Sequence, residues 1–502
     1  MGKGKVIISG VAWTIINNIV SILYSIASVP FLISYFGKEE YGLIGIALSV
    51  NVYIYLLDMG MTNSNVRFFS EFLAKKEDDN VQKLFSLTHL FYLTLGLLNT
   101  VILFGLSFFA DTFFKVSPEQ AITLRNLLWI LAINATFSWI SSCFDQFIRA
   151  YDLINWIKKR STFLKLLQFI ILAITVLFKT SIEFYFFGYI FLATIILPLT
   201  VLKARKMAPN LKFNFSYDKD MFKSVYPYAL SIFSFSIFQF LAFNSRPLIL
   251  GNISGPGAVA EFNIMNTIVS VVTILSGSFM QVLLPIVTKM AVKSDWAGIN
   301  RIVNDGTRYV TIVLSFIVFM LIIGIKEIFT IYVGIEYVKL APWMILWLLT
   351  LLLSHRNVMT SVVFTEKKLK SVATMGAVAM ALAIGAYVIF VPIYGVGGVV
   401  IGFAIHELVH TLFYYIYFLP NKFKIDTKTV FFKTVFPVWA LFGGLCFIIN
   451  FLSGYITGSI WFTILIKVGA LGITMFMFVW FLLIKGKHRK TLLNMVSLSK
   501  SN

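Results

Sequence analysis

Fourteen apolar stretches, most of them close to twenty residues long, constrain the fold of this 502-residue sequence more than any other feature. A helix needs about 20 apolar residues to cross the hydrocarbon core of a bilayer. Only 13% of the residues are charged, whereas soluble domains carry roughly 25%. Because backbone groups inside a bilayer must be paired within the protein, such stretches form helices. The sequence therefore predicts an all-α, polytopic membrane protein.

The predicted spans fall into two sets of six and a final pair. The N-terminal lobe, 1–202, has spans at 8–36, 41–62, 84–109, 121–147, 161–178 and 184–202, and a polar central loop follows at 203–224. The C-terminal lobe, 225–419, has spans at 225–250, 257–288, 309–325, 341–364, 372–391 and 397–419. Spans at 432–452 and 459–484 form a third region, 432–484, before a polar tail at 485–502.

The first apolar run also has one property of a signal peptide, because Lys3 and Lys5 precede it. It is longer than the 7–15 apolar residues of a signal peptide, and it lacks a clear small-residue cleavage site. We expect it to be an uncleaved first span.

Lys and Arg side chains are distributed unevenly between the two sides of the predicted membrane. With the N-terminus inside, 33 of the 42 lie on the cytoplasmic side, six lie on the other side and three lie within spans. An excess of Lys and Arg marks cytoplasmic loops, so both termini are predicted to be cytoplasmic. The net charge of +20 is therefore assigned to topology and to anionic lipid headgroups rather than to nucleic acid.

A weak internal repetition supports the division into two lobes. The sequence VPFLISYFGKEEYG, from Val29, and the sequence RPLILGNISGPGAVA, from Arg246, each place a Pro before a Gly that opens another helix. Internal repeats are typical of transporters, whose substrate path lies between the halves. Chance similarity between apolar segments is the alternative interpretation.

Polar residues on one helical face suggest a cavity. In the first span, a stripe at spacings of three and four contains Asn18, Ser21 and Ser25. In the seventh span, Gln239 and Arg246 are seven residues apart and share a face. The two faces line one hydrated cavity if the halves face each other, although hydrogen bonding between helices is an equally physical role.

Charges inside spans need a partner or water, because each costs about 2.5–3.5 kcal/mol at a helix centre. The basic ones are Arg246, Arg356 and Lys467, and the acidic ones are Asp58, Asp145 and Glu407. Asp145 precedes Arg149 by four residues, a spacing that allows an ion pair on one helix.

Glu407 belongs to the sequence HELVH, His406 to His410, which has the H-E-x-x-H pattern of zinc metalloproteases. Such a site needs a third ligand, and no suitable one follows in the sequence. A hydrogen-bonded cluster is the preferred interpretation. No P-loop, dinucleotide fingerprint or nucleophile elbow occurs, so we expect a protein that is not an enzyme and holds no cofactor.

The order of several motifs resembles a known family. The segment from Leu56, LLDMGMTNSNVRFFSEFLAKKEDD, places Asp58, Gly60, Arg67 and Glu71 as in polysaccharide exporters. RPLILGNISGPGAVAEFNI and PIYGVGGVVIGFAI, from Pro392, are similar to two later segments of that family. The chain is identified as a member of the polysaccharide transporter family, the Wzx-type flippases, in the superfamily that includes the multidrug exporters.

The resemblance implies a MATE-like fold of two six-helix lobes plus two helices in a bacterial inner membrane. It implies flipping of an undecaprenyl-pyrophosphate-linked oligosaccharide, the repeat unit of an O-antigen, capsule or exopolysaccharide, by alternating access. A polysaccharide polymerase and a chain-length regulator are the implied protein partners. Many relatives carry an acidic residue where Arg246 stands, so the resemblance does not extend to a cation site there.

The combined prediction assigns two kinds of intramembrane site. Substrate anions are assigned to the cavity residues Arg246, Lys467, Arg356, Asn18, Ser21, Ser25 and Gln239. A coupling H⁺ or Na⁺ is assigned to Asp58, Glu407 or Asp145. The alternatives are a cation-coupled multidrug exporter, which predicts an acidic cavity, and an intramembrane zinc metalloprotease that uses HELVH.

Overall fold

The computed structural model describes residues 3–212, 214–365, 370–455 and 458–480, and within these ranges it contains helices and no strand. The first eleven α-helices are α1 (Lys3–Phe36), α2 (Lys38–Ile54), α3 (Met61–Lys75), α4 (Asp78–Ser107), α5 (Ala110–Phe113), α6 (Pro118–Ala150), α7 (Ile154–Phe178), α8 (Ile182–Ile195), α9 (Leu197–Met207), α10 (Lys219–Ile253) and α11 (Pro256–Val292). The next ten are α12 (Trp296–Ile323), α13 (Ile325–Tyr332), α14 (Ala341–Leu351), α15 (Asn357–Val363), α16 (Lys370–Tyr394), α17 (Val396–Leu412), α18 (Leu419–Phe423), α19 (Thr427–Val430), α20 (Phe436–Ser453) and α21 (Ile460–Phe478).

Several spans contain short turns of other helix types. Three 3₁₀ segments cover Tyr55–Asp58, Ile335–Leu340 and Leu352–Arg356. Two π segments, Phe413–Phe418 and Phe431–Val435, continue α17 and α19. The 3₁₀ turn Leu352–Arg356 joins α14 to α15 within one span. Segments of π-helix, such as the two found here, often occur at functional sites.

The span prediction is confirmed within the described residues. Thirteen helices or helix runs are long and apolar enough to cross a bilayer, and the two halves of α10 form a fourteenth if they count as one span. The protein is therefore a multi-pass membrane protein. The predicted tail at 485–502 and the end of the last predicted span lie outside the described residues.

α10 is bent by 54° between its halves Lys219–Ser234 and Ser236–Ile253. Ser231, Ser234 and Ser236 each donate a hydrogen bond to the carbonyl four residues earlier. Such back-bonding competes with the helix ladder and bends helices, and three successive cases at the bend account for its position.

Several helices begin at a side-chain cap. Ser117 forms a capping box with Gln120 and Pro118 occupies the first turn of α6. Asp218 accepts from two backbone N–H groups at the start of α10. The helical structure of α9 up to Met207 shortens the predicted 203–224 loop to the segment 208–218.

Backbone contacts divide the chain into two compact units. The first unit is Met1–Thr267 with Gly376–Gly402, and the second is Ile268–Met375 with Phe403–Asn502. The first unit has a buried aromatic core in which Phe69, Phe85, Phe144 and Phe147 pack together. The predicted lobe boundaries at 202 and 225 were derived from the internal repeat rather than from backbone contacts. They therefore stay a prediction.

Candidate polar cavity

The first unit contains a partly open cavity of about 350 Å³ between α1, α2, α8, α10 and α11. Its polar lining residues are Tyr24, Ser25, Ser28, Tyr41, Ser49, Tyr185, Tyr189, Asn244, Arg246, Asn263, Asn266 and Thr267. None of the described lining residues carries a carboxylate, and Arg246 is the charged one. The cavity therefore offers hydroxyls, amides and one guanidinium to a ligand.

Gly45 brings two walls of the cavity together. A Cβ atom added to Gly45 of α2 would lie 2.2 Å from the Asn263 side chain of α11. A Cβ atom at Gly42 would lie 1.9 Å from the carbonyl oxygen of Pro256. Small residues at these positions let α2 approach α11 closely and direct the α11 amides into the cavity.

Arg246 is held by aromatic rings and by the backbone of its own helix. Its side chain is 7% exposed, and its Nε donates to the carbonyl of Phe243 at 2.7 Å. The guanidinium carbon lies 5.0 Å from the ring centre of Phe243 and 5.3 Å from that of Phe262. These cation–π contacts fix the guanidinium against the wall of a polar cavity.

One part of the polar stripe of α1 lines the cavity, and a neighbouring residue contacts α7. Ser25 lines the cavity together with Arg246, whereas Asn18 and Ser21 are half-buried and lie outside its lining. The neighbouring Asn17 is buried and donates to Thr162 of α7 at 3.2 Å. Gln239 is exposed and does not line the cavity.

Sequence reasoning missed all three amides that line the cavity, Asn244, Asn263 and Asn266. On α11, Asn266 and Thr267 follow Asn263 by three and four residues, so all three lie on one face. On α10, Asn244 precedes Arg246 by two residues. This spacing is the signal that identified the stripe on α1, and it was present in the eighth span. The role of the predicted residues in substrate binding stays a prediction.

Asp58 is the centre of a hydrogen-bond network at the end of α2. Its carboxylate accepts from the backbone N–H of Thr62, from the Thr62 hydroxyl and from the Tyr92 hydroxyl, the last at 2.6 Å. Gln146 donates to Tyr92 and accepts from Asn65. The network ties α3, α4 and α6 to the turn at Asp58.

The other residues of this motif have structural partners. Gly60 has φ 79°, and a Cβ atom there would lie 2.4 Å from the carbonyl oxygen of Ala229 in α10. The Arg67 guanidinium lies 4.1 Å from the ring centre of Tyr228. A hydrogen bond and the charge of Lys75 lower the pKa of the exposed Glu71 below its ordinary value.

Asp145 pairs with a different arginine from the one predicted. Its Oδ2 accepts from Arg160 of α7 at 2.7 Å, and Arg160 also donates to the hydroxyl of Thr200. The expected pairing with Arg149 on the same helix was wrong. Asp145 of α6 instead contacts Arg160 of α7, which in turn contacts Thr200 of α9.

Arg356 and Glu407 form a buried ion pair in the second unit. The guanidinium donates to both carboxylate oxygens, at 2.6 and 3.2 Å, and the residues are 9% and 4% exposed. His406 Nδ1 lies 3.2 Å from Glu407 Oε1, and the His406 and His410 rings are 4.7 Å apart. The Glu407 carboxylate is thus already neutralised by a cation, an arrangement unlike that of a zinc protease base.

The zinc interpretation has no support in the described part of the chain. No group of three or more His, Cys, Asp and Glu side chains there is placed to hold a metal ion. Lys467, the third intramembrane cation of the prediction, donates to Glu327 of α13 at 2.6 Å. Lys467 and Arg356 belong to the second unit, apart from the lining of this cavity.

Comparisons with known proteins identify the class of the chain and then its family. Lipid II flippase MurJ in an inward closed conformation has the same fold, with TM-score 0.70 and 14% identity over 93% of this chain and 99% of that chain. An inward-facing MATE family multidrug resistance transporter of the MOP superfamily matches with TM-score 0.61 and 14% identity, over 81% of this chain and 94% of that chain. The MATE multidrug transporter DinF-BH matches with TM-score 0.62 and 16% identity, over 85% of this chain and 97% of that chain.

The fold is therefore the one shared by MurJ and the MATE transporters of the MOP superfamily. A sequence profile of the family described as polysaccharide biosynthesis protein matches residues 7–291, more than half of the chain. The chain belongs to this family. A comparison with curated protein sequences finds no match.

Proposed function

We propose that the protein flips an undecaprenyl-pyrophosphate-linked oligosaccharide across the bacterial inner membrane by alternating access, without catalysis. The observation that carries this proposal is the polar cavity of the first unit, whose charged lining residue is Arg246 and whose described lining holds no carboxylate. A guanidinium binds phosphate oxygens in bidentate geometry. The family and the flippase-like fold support the same reaction.

In this mechanism the lipid tail stays in the bilayer while the pyrophosphate and sugars occupy the cavity. The serine hydroxyls and asparagine amides are suited to sugar hydroxyls, because they both donate and accept hydrogen bonds. The glycan is an O-antigen, capsule or exopolysaccharide repeat unit, which a polymerase and a chain-length regulator would then use. We further propose H⁺ or Na⁺ as the driving ion.

The proposed coupling carboxylates are Asp58, Asp145 and Glu407. Each already accepts hydrogen bonds or an ion pair, from Tyr92, Arg160 and Arg356 respectively. Binding of H⁺ or Na⁺ reduces the negative charge that each of these contacts uses, so it should weaken the contact. Coupling would then have a structural consequence, since each contact joins separate helices.

Charge reversal at Arg246 tests the proposal. In host cells that lack the chromosomal copy, Arg246→Glu should abolish surface polysaccharide while the protein remains at its normal level, and Arg246→Lys should restore part of it. Arg125→Glu is the matched control, because Arg125 also faces an aromatic ring, Phe108 at 6.0 Å, but does not line the cavity. Wild-type display by Arg246→Glu cells would refute the assigned role.

A multidrug exporter is the second candidate, favoured by the similarity of fold to the MATE transporters. Exporters of cationic drugs need negative charge at the binding site, whereas the described lining of this cavity contains Arg246 and no carboxylate. Efflux of a cationic dye from whole cells separates the two functions. Efflux that depends on the protein, with unchanged surface polysaccharide, would establish the exporter instead.

A further inference from the structure

Lys165 lies in the middle of a membrane-spanning helix. It is the twelfth of the 25 residues of α7, about 16 Å from the start of the helix at 1.5 Å per residue. The predicted span 161–178 includes Lys165, but the charge count assigned this residue to the cytoplasmic side together with Lys158 and Lys159. Its place in the middle of α7, a helix long and apolar enough to cross a bilayer, makes it a candidate intramembrane cation, a type of residue that is expensive and usually functional.

The ammonium of Lys165 rests on two tyrosine rings. It lies 5.0 Å from the ring centre of Tyr24 and 5.7 Å from that of Tyr189. Among the described residues, no carboxylate approaches this ammonium to within 4.0 Å. The aromatic faces are thus its described partners, an arrangement that satisfies a cation only partly.

Both rings belong to the wall of the polar cavity. Tyr24 and Tyr189 stack with centroids 6.3 Å apart, and the Tyr24 hydroxyl lies 2.9 Å from that of Tyr185. Arg246 contacts two other lining rings, Phe243 and Phe262, in the same way. Two cations on different helices therefore rest on aromatic rings that line one cavity. Arg246 belongs to the lining itself, whereas Lys165 reaches the cavity wall through the rings of Tyr24 and Tyr189.

We propose that Lys165 is a second anion-binding residue of this cavity, which contacts the diphosphate of the lipid-linked substrate. Its ammonium is a compact charge with three donors on a flexible stem, so it can leave the rings to reach an oxygen. A charge-assisted hydrogen bond to phosphate is stronger than the cation–π contacts that it replaces. The inference rests on the proposed function and adds a residue and a ligand group to it.

Pyrophosphate binding to the purified full-length protein tests the proposal. In nanodiscs of phosphatidylcholine, calorimetry with inorganic pyrophosphate should show about a tenfold increase in Kd for Lys165→Met, roughly the loss of one charge-assisted contact. Lys165→Arg should retain most of the affinity. Lys159→Met is the matched control, since Lys159 lies on the same helix over Trp13, 5.1 Å from a ring outside the cavity lining.

Three outcomes would overturn the proposal. The first is wild-type affinity in Lys165→Met, and the second is an equal loss in Lys159→Met. The third is loss of pyrophosphate binding when phosphatidylglycerol is added to the nanodiscs, because Lys165 would then hold a phospholipid headgroup. Unchanged, Lys165-dependent binding in those nanodiscs supports the diphosphate as the ligand.

A second measurement needs no substitution at Lys165. In the wild-type protein, pyrophosphate should slow the modification of Lys165 by an amine reagent, mapped by mass spectrometry, and leave the rate at Lys159 unchanged. Equal rates at Lys165 with and without pyrophosphate would count against the proposal even if Lys165→Met failed to fold. Surface polysaccharide that persists in cells lacking the gene would refute the proposed flippase function but not anion binding by Lys165. Anion binding by Lys165 is measured separately, by the pyrophosphate experiments on the purified protein.

Discussion

Gly60 shows how one residue fixes the end of a span. Met59 and Gly60 both have left-handed backbone conformations, with φ 46° and 79°, and they turn the chain from the second span into α3. Asp58 caps this turn by accepting from Thr62. The Asp-Met-Gly sequence was predictable as a family motif, whereas the contact of Gly60 with Ala229, 169 residues later, was not.

Gly60→Ala should therefore destabilise the protein more than a comparable glycine substitution. A left-handed alanine costs about 1–2 kcal/mol, and the clash with the Ala229 carbonyl adds about 1–3 kcal/mol of overpacking. Gly395→Ala isolates the first term, because Gly395 has φ 54° and open space around its Cβ position. Thermal unfolding in detergent should rank the wild type above Gly395→Ala and Gly395→Ala above Gly60→Ala. Equal midpoints for the two variants would show that α10 yields to the added methyl group.

At the scale of single residues, the sequence identified several charges within spans but missed Lys165 and most of the partners of these charges. Arg246 was found because a charge within an apolar run stands out, and Ser25 of the predicted α1 stripe lines the same cavity. Lys165 was missed because it follows a cytoplasmic basic cluster, so its depth depended on where α7 begins. Partners such as Glu327 for Lys467 come from distant segments, which spacing along the chain does not bring together.

At the scale of elements, the Arg356–Glu407 pair joins a broken span to α17. Arg356 ends the 3₁₀ turn between α14 and α15, where helix hydrogen bonding is interrupted, and Glu407 lies eleven residues into α17. The guanidinium also donates to the Glu407 carbonyl, at 3.2 Å. The pair therefore holds the break in one element against a continuous helix.

Removal of one partner should cost far more than removal of both. Arg356→Met leaves the Glu407 carboxylate buried and unpaired, a change that costs about 3–5 kcal/mol, whereas apolar replacement of both is close to neutral. Unfolding midpoints should fall sharply for Arg356→Met and recover in the double variant Arg356→Met, Glu407→Leu. Failure of the second substitution to restore the midpoint would contradict the buried-pair argument. A stable double variant that displays no polysaccharide would assign the Arg356–Glu407 pair a role in transport in addition to folding.

Helix existence was easier to predict than helix ends, for a physical reason. The thickness of the bilayer sets the length of each apolar run, so the spans could be predicted from these runs. A helix continues beyond the membrane wherever its polar residues favour helical structure, so the apolar run does not predict the helix ends. α4 and α10 thus start before the predicted spans, at Asp78 and Lys219. The amphipathic α3 lay between predicted spans because its apolar residues are too few to mark a crossing.

At the scale of the whole molecule, the orientation in the membrane follows from the distribution of cations. The 33-to-6 division of Lys and Arg depends on an even number of spans between the first and last loops, since one missing span would invert every later loop. Thirteen or fourteen spans are compatible with the described helices, according to whether the bent α10 crosses the bilayer. Loop accessibility on both sides of α10 therefore tests the span count as well as the orientation.

Single cysteines labelled with a membrane-impermeant maleimide provide this test. The native Cys143 and Cys446 are buried, so background labelling should be low. Before α10, Glu119→Cys lies on the predicted external side and should react in intact cells. Asn210→Cys, in the central loop, should react only after the membrane is permeabilised; both positions are exposed in the structure.

After α10, Glu336→Cys should behave like the external position and Asn421→Cys like the cytoplasmic one, again at exposed residues. If α10 crosses the bilayer, the two halves of the chain give the same pattern. If it does not, the later pair reverses while the earlier pair is unchanged. A reversal in both pairs would place the termini outside and contradict the charge argument. Only the same labelling pattern in both halves is consistent with fourteen spans and both ends of the chain in the cytoplasm. In that arrangement the excess of Lys and Arg lies in cytoplasmic loops, as the charge argument requires.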